Sequence, residues 1–452
     1  MGSAPWLLLA LAANAASQTL TLSGAVESSL KNYPAIQVSQ EQINAAAASI
    51  RLARTAYLPR IDAAAQLNRA TRNNVFGMLL PQSVFPSLSG PVIGTNNLGT
   101  TWGTAIGGLV SWEPFDFGLR QANVAVAEAG HAQQEAGLKR TRYEIATATA
   151  DAFLTLAAAQ ETVRAATAGV DRAASFLKTM SALVDAELRP GADKARAEAE
   201  TAAARTQLAQ AEQAVDVARA NLARFTGGDP AAIHIAMARL SDPPPDQPAA
   251  APDMAGNPLV AEQNAVVEQT RAQLHALERS YFPHFALQGA AYARGSGAET
   301  NGKILGGANG LAPTTQNFAL GLTVTFPVMD KPAIEAREAV QAAALRAQTA
   351  KAQQIATDLR AQWNVAVANL QGARRVAANL PAQVAAARAA EQQATARYQS
   401  GLGNIDAVAE AQRLVTQAEI DGALAKLSIW RALLGLAAAA GDIQPFLAEV
   451  GQ

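Results

Sequence analysis

The stretch Thr101-Trp-Gly-Thr-Ala-Ile-Gly-Gly-Leu-Val-Ser-Trp-Glu-Pro-Phe-Asp-Phe-Gly118 decides how the rest of the chain is read. Trp102, Ile106, Val110 and Trp112 fall on one parity, with Thr104 and Gly108 between them. Thr101, Gly103, Ala105, Gly107 and Ser111 fall on the other. This is strand alternation, with one apolar face and one small, mostly polar face. At the rise of a strand tilted by roughly 40°, Trp102 and Trp112 stand about 25 Å apart along the membrane normal, the height of the apolar band between the aromatic girdles of a membrane β-barrel. Pro114 is expected to end the strand because it cannot donate to a ladder. Beyond Gly118 the pattern turns alanine-rich and helical for about seventy residues, on the order of 100 Å at the rise of an α-helix.

Composition agrees with long helices. Half of the 452 residues are apolar, and many of these are alanine, the best helix former and a small packing residue. A net charge of −1 without a Lys/Arg-rich block gives no footprint for nucleic acid. With no cysteine there is no thiol chemistry and no disulfide in this sequence. Trp6 to Ala13 is a short apolar run followed by Ala13-Asn14-Ala15, which reads as a signal peptide over residues 1–16 even though no Lys or Arg precedes the run. Elsewhere no unbroken run of about eighteen strongly apolar residues occurs, so a membrane would have to be crossed by strands.

Two halves carry the same order. In the first, Leu20 to Tyr57 reads as a helix capped at Thr21 or Ser23; Arg60 to Arg72 alternates, Asn73 to Gly99 reads as a loop, and the strand at Thr101 follows. In the second, Asn257-Pro258 answers Tyr33-Pro34, and the next prolines, Pro59 and Pro283, each lie 25 residues further on. Strand alternation from Phe285, a Gly/Asn-rich loop and a second strand follow, the last with Phe318, Leu320, Leu322, Val324 and Phe326 on one face before Pro327. From each closing proline a helical pattern runs 77 and 74 residues to glycines at Gly191 and Gly401, and a return helix follows each. Pro381 should kink or break the second long helix.

The expected organisation is therefore residues 17–228 as one repeat, 229–255 as a Pro-rich linker, 256–441 as a second repeat and 442–452 as a tail. Four strands are too few to close a membrane barrel, and open strand edges are not tolerated in lipid. Three copies would supply twelve strands.

The residues Leu20-Thr21-Leu22, Ala25-Val26, Asn32-Tyr33-Pro34, the joint Ser111 to Gly118, and Gly401 with Glu410-Ala411-Gln412 resemble the TolC-like outer-membrane efflux proteins. That resemblance covers nearly the whole mature length. It implies an α+β membrane protein: a homotrimer with a 12-stranded barrel in outer-membrane lipid, continuous with a long α-helical barrel in the periplasm. Such a protein is a passive exit duct without enzymatic activity, reached from an inner-membrane transporter through a periplasmic adaptor. A non-channel coiled-coil scaffold of the periplasm is the alternative that the alanine-rich helices allow.

The same resemblance places a periplasmic gate just after Gly401, where Glu410 falls on one acidic position of the family, Ala407 occupies the other and Asp406 is displaced by one residue. Asp406 and Glu410 share a helical face, yet acids at a helix start also simply favour the dipole. The first-half counterparts, Asp193 and Glu198, read as serving a helix start or a subunit contact. The turns at Arg189, Gly191, Gly401 and Gly403 are candidate adaptor-docking tips, and Trp102, Trp112, Phe318 and Phe326 a lipid-facing aromatic belt. His131, His234, His275 and His284 lack metal-ligand spacing, and no cofactor or catalytic motif is expected. Gly306 to Gly310 reads as a loop tip.

Overall fold

The structure, a computed structural model, describes residues 19–71, 99–237, 239–245, 253–299 and 303–451. The signal-peptide reading and nearly all of the loop expected between Asn73 and Gly99 lie outside these residues. Among the described residues eight α-helices and four strands follow in the order α1 Leu22–Asn32, α2 Pro34–Thr55, β1 Arg60–Thr71, β2 Thr100–Phe115, α3 Leu119–Asp185, α4 Gly191–Thr226, α5 Pro258–Arg279, β3 His284–Ser296, β4 Thr315–Thr325, α6 Lys331–Gln399, α7 Ile405–Ala440 and α8 Gln444–Val450. The order helix, strand, strand, long helix, return helix thus occurs twice.

Two compact units are built from these elements, and each draws on both halves of the sequence. One comprises residues 42–134 and 264–350, the other the remainder. In the first, the strands form an antiparallel sheet in the order β1-β2-β3-β4. Ile106 lies opposite Ala65 on one side and Ala293 on the other, and Leu287 opposite Leu322. This register puts Ile61, Leu67, Ile106, Val110, Leu320 and Leu322 on one face, all of them exposed. The opposite face is closed by small residues, with Ala105, Leu109 and Ala290 buried. Gly107 is needed there, because a Cβ would stand 2.3 Å from that of Tyr292 across the ladder.

Pro114 does not end β2, which runs on to Phe115. The register shifts between Trp112 and Phe115, and such a bulge is where a strand tolerates a residue that cannot donate. The chain turns at Phe117 and Gly118, both at positive φ. Asp116 then starts α3: its carboxylate accepts from the backbone N–H of Gly118 at 3.2 Å and of Arg120 at 2.7 Å, and from Arg120 Nε at 2.8 Å. Burial works against this carboxylate, but the hydrogen bonds and charge of Arg120 outweigh it and hold its pKa below the usual range. Arg120 also lies over the Tyr57 ring at 4.8 Å and donates to Ala56 O, which ties the end of α2 to the start of α3.

The other unit holds the main core. Leu22, Val26, Phe153, Leu156, Leu222, Leu427, Trp430 and Phe446 pack together from α1, α3, α4, α7 and α8. Trp430 is fully buried and its indole N–H donates to Asp242 O at 3.0 Å. By length and composition α7 could cross a membrane, which the sequence reading overlooked, but its apolar side chains, Trp430 and Leu434 among them, serve this core. The helix expected from Leu20 to Tyr57 is two helices, since Pro34 forces Tyr33 into an extended conformation, and Thr21 is the cap. Leu20 instead pairs with Ile235, so the expected linker contains a short bridge as well as single 3-10 turns. The expected tail is α8. Pro381 does not break α6, which continues through it.

Substituting Asp116→Asn should remove the charge from a buried pair and cost about 2–3 kcal/mol, seen as a lower Tm of the detergent-solubilised protein. Because the folded pKa is depressed, the wild-type contribution is present above the ordinary carboxylate pKa of 3.8 and is lost as pH falls through the folded value. The variant should lose that part of the acid dependence, and an unchanged Tm and acid profile would show that the joint does not need the pair.

Candidate functional site: the helical turns and the outward face of the sheet

Two turns reverse the long helices, α3 into α4 and α6 into α7. In the first, Glu187 adopts φ 60, while Gly191 is the opening residue of α4 and needs no special backbone, so the chain reverses four residues before the glycine that was expected to mark it. The second turn is marked as expected, with Gly401 at φ 75. Gly403 follows at ordinary φ, and the Asn404 side chain caps α7 by accepting from Ala407 N at 3.1 Å.

Tyr398, fully buried beside the second turn, joins the two. Its ring packs on Phe176 of α3, with centroids 5.9 Å apart, and the Arg189 guanidinium lies over it at 4.5 Å. Arg189 also donates to the Tyr398 carbonyl, and the Tyr398 hydroxyl donates to Asp193 in the first turn of α4. Met180, Ala197, Ile405 and Val408 complete the cluster. Arg189 is therefore engaged within the chain, whereas Gly191 and Gly401 are exposed beside Leu188 and Leu402, which are 69% and 74% exposed. Burial first, and the neighbouring Asp193 second, push the tyrosine pKa up to about 12. The sequence reading missed Tyr398; its signal is an aromatic three residues before a glycine turn, in a segment otherwise short of large side chains.

Asp406 and Glu410 lie together on the first turns of α7, and neither is a bare acid. Asp406 Oδ1 is 3.4 Å from Arg196 Nε, Arg196 reaches Glu200 at 3.1 Å, and Arg413 lies 3.0 Å from Glu410 and 3.8 Å from Glu200. The result is an alternating ladder of three acids and two arginines between α4 and α7. Its outer members are open to solvent, Asp406 at 67% and Glu410 at 73%, so each pair contributes at most about 1 kcal/mol. Glu198, the other first-half counterpart, is exposed.

The expected aromatic belt sits on the exposed face of the sheet, unevenly. Phe318 is 87% exposed and Phe326, one residue past β4, 45%. Trp112 is also exposed and donates to Tyr57 O at 3.0 Å, while Trp102 is half-buried with Arg69 5.3 Å from its ring.

Tyr398→Phe should keep the ring packing but strand the Asp193 carboxylate, lowering Tm by an amount equivalent to about 1–3 kcal/mol. A raised tyrosine pKa means that the hydroxyl contributes fully below its ordinary value of 10.0 and is lost as pH rises through about 12. Alkaline melting curves should therefore separate the wild type, which has this transition, from the variant, which lacks it.

Solved structures share this fold. The Campylobacter jejuni CmeC outer membrane channel is 15% identical with a TM-score of 0.74, covering 93% of this chain and 85% of that one. The outer membrane protein VceC from Vibrio cholerae is 16% identical at TM-score 0.72, covering 93% and 96%. The outer-membrane channel OprN is 20% identical at TM-score 0.73, covering 93% and 89%. A search of curated proteins by sequence finds no match. The sequence model described as Outer membrane efflux protein matches residues 25–228 and 254–442, most of the chain, and the chain accordingly belongs to that family of outer-membrane efflux channels.

Proposed function

We propose that three copies close a 12-stranded barrel in the outer membrane, with the long helices forming an α-helical barrel that reaches into the periplasm, and that the assembly is the passive exit duct of a tripartite efflux system. The observation that carries this reading is the sheet: among the described residues β1 and β4 have no strand paired on their outer edges, and the face between them presents apolar side chains outward. Unpaired strand edges in hydrocarbon cost several kcal/mol per group, and pairing β4 of one copy with β1 of the next removes them. Twelve strands leave a lumen wide enough for water. The recurring element order supports descent from a tandem duplication, with residues 17–228 and 256–441 as its halves.

Substrate would enter at the two turns. Leu188 and Leu402, beside Gly191, Gly401 and Gly403, offer small apolar tips to a periplasmic adaptor, which in turn connects to an inner-membrane transporter. Tyr398 acts as the tie between the turns, so opening requires the hairpins to separate at Asp193 and Arg189. Asp406 and Glu410 border the entrance in this reading, with Arg196 and Arg413 offsetting much of their charge. No residue in the proposed duct is assigned a chemical step or a cofactor.

Sedimentation of the particle extracted from the outer membrane in mild detergent should give three chains, and a monomer there would overturn the shared barrel. In planar bilayers, Asp406→Ala with Glu410→Ala should raise conductance and weaken cation preference. Unchanged conductance and selectivity would remove both residues from the gate.

A further inference from the structure

We infer that a cavity walled by α3, α6, α7 and the 3-10 turn Arg239–Ser241 binds a small amphipathic anion of the medium-chain carboxylate class. The cavity measures about 390 Å³, within the size range of small-molecule sites, and all of its walls come from one compact unit of a single chain. Its lining is largely apolar. Leu240, Leu380 and Leu427 are buried there, and Val384 of α6 adds a half-buried side chain. Two residues that a helix interior disfavours also line it, Pro381 in α6 and Gly422 in α7. The helices do not need them. Pro381 does not end α6, and Gly422 keeps ordinary helical backbone, so alanine would suit either position better. A Cβ on Gly422 would meet only Val384 Cγ2, at an ordinary 3.7 Å, so packing does not demand the glycine either. What its missing side chain does is widen the space between α6 and α7.

The charges around the cavity select the sign of the ligand. Five ionisable side chains line it: Glu161, Arg164, Arg388, Glu419 and Lys426. Both acids are already engaged, Glu161 by Arg164 at 3.1 Å, and Glu419 between Arg388 at 2.9 Å and Arg172 at 3.0 Å. Lys426 has no acidic partner among the described residues and spends one of its three donors on Ser241 O, at 3.1 Å. The lining therefore carries a net positive charge, with donors of Lys426 left for an anion. A carboxylate can accept from them while its hydrocarbon tail displaces water from the leucines. A cation would meet three basic groups and no uncommitted acid, and a neutral ligand would gain nothing from the ammonium. Because Lys426 is open to water, its charge sets the preference while the apolar lining supplies most of the affinity.

The probe is decanoate carrying a photoactivatable diazirine near the end of its chain, given below its micelle-forming concentration to the full-length protein in phosphatidylcholine nanodiscs, with labelled peptides identified by mass spectrometry. The site requires saturable labelling within segments 377–388 and 419–427, competed by unmodified decanoate and not by decanol or decyltrimethylammonium. Lys426→Gln can keep the bond to Ser241 O but not the charge. It should raise the concentration for half-maximal labelling about tenfold, the loss of one charge-assisted hydrogen bond. Gly422→Leu should abolish labelling by filling the space, with a circular dichroism melt to show that α7 still folds; Val384→Phe narrows the same space from α6 and serves if it does not. Labelling confined to other segments, no labelling, decanol competing as well as decanoate, or wild-type labelling of both the lysine and the cavity-filling variants would each overturn the site. A second copy seated over the cavity would allow labelling only after the particle is dissociated, and that result would overturn it as well.

Discussion

Backbone hydrogen bonding in a solvent that offers none is the constraint on which this structure depends. A four-stranded sheet satisfies its inner ladders, but among the described residues no strand pairs with the outer edges of β1 and β4. In water such edges would be a liability to be blunted by charge or covered by a helix. Here the outward face carries Ile61, Ile106, Leu320 and Phe318 in the open, so water is not the solvent it is made for. In the assembly proposed above the two features answer one another, because an apolar face in lipid needs closed edges and further copies would close them.

The helices face the opposite demand. They contain few large side chains, and their packing rests on alanine, glycine and short β-branched residues that let axes approach, with dense clusters only where many elements meet around Trp430 and where the turns meet around Tyr398. Packing that relies on small residues gains little apolar burial per contact, so polar fastenings carry specificity. Asp151 with Arg431 and Glu419 between Arg172 and Arg388 are of this kind. Tyr398 differs from these because it is buried, charged on neither side of neutral pH, and held by three separate groups. A tie of that sort is released only by moving the two turns apart.

Much of the fold was legible in the order of residues. Alternation at Trp102 to Trp112 and at Phe318 to Phe326 located two strands and named their outward faces, because a period of two cannot be met by a helix. Gly401 marked a real reversal, since it takes a positive φ, whereas Gly191 does not and opens a helix instead. Punctuation by proline was less dependable. Pro34 did split a helix, but Pro114 sits inside a strand at a bulge and Pro381 inside a continuous helix, since a missing donor matters only where the local ladder would have used it. The joint cap at Asp116 was readable as an acid four residues before Arg120 at a helix start, and was not read.

The sequence alone determined the types of most elements, the two exposed apolar parities of the strands and the element order that recurs in the two halves, all of which are local periodicities that survive without knowing what packs on what. Only the tertiary structure decided which charges meet. Asp406 looked like a bare acid until α4 brought Arg196 alongside α7, and Glu200 of α4 is what joins that pair to Arg413 and Glu410. Asp193 and Tyr398 are 205 residues apart, and nothing in either neighbourhood announces the other. Phe115, Phe117, Phe282 and Phe285 likewise come from two distant segments and meet only because β2 pairs with β3. Periodicity is written along the chain, whereas proximity across it is fixed by how the elements pack.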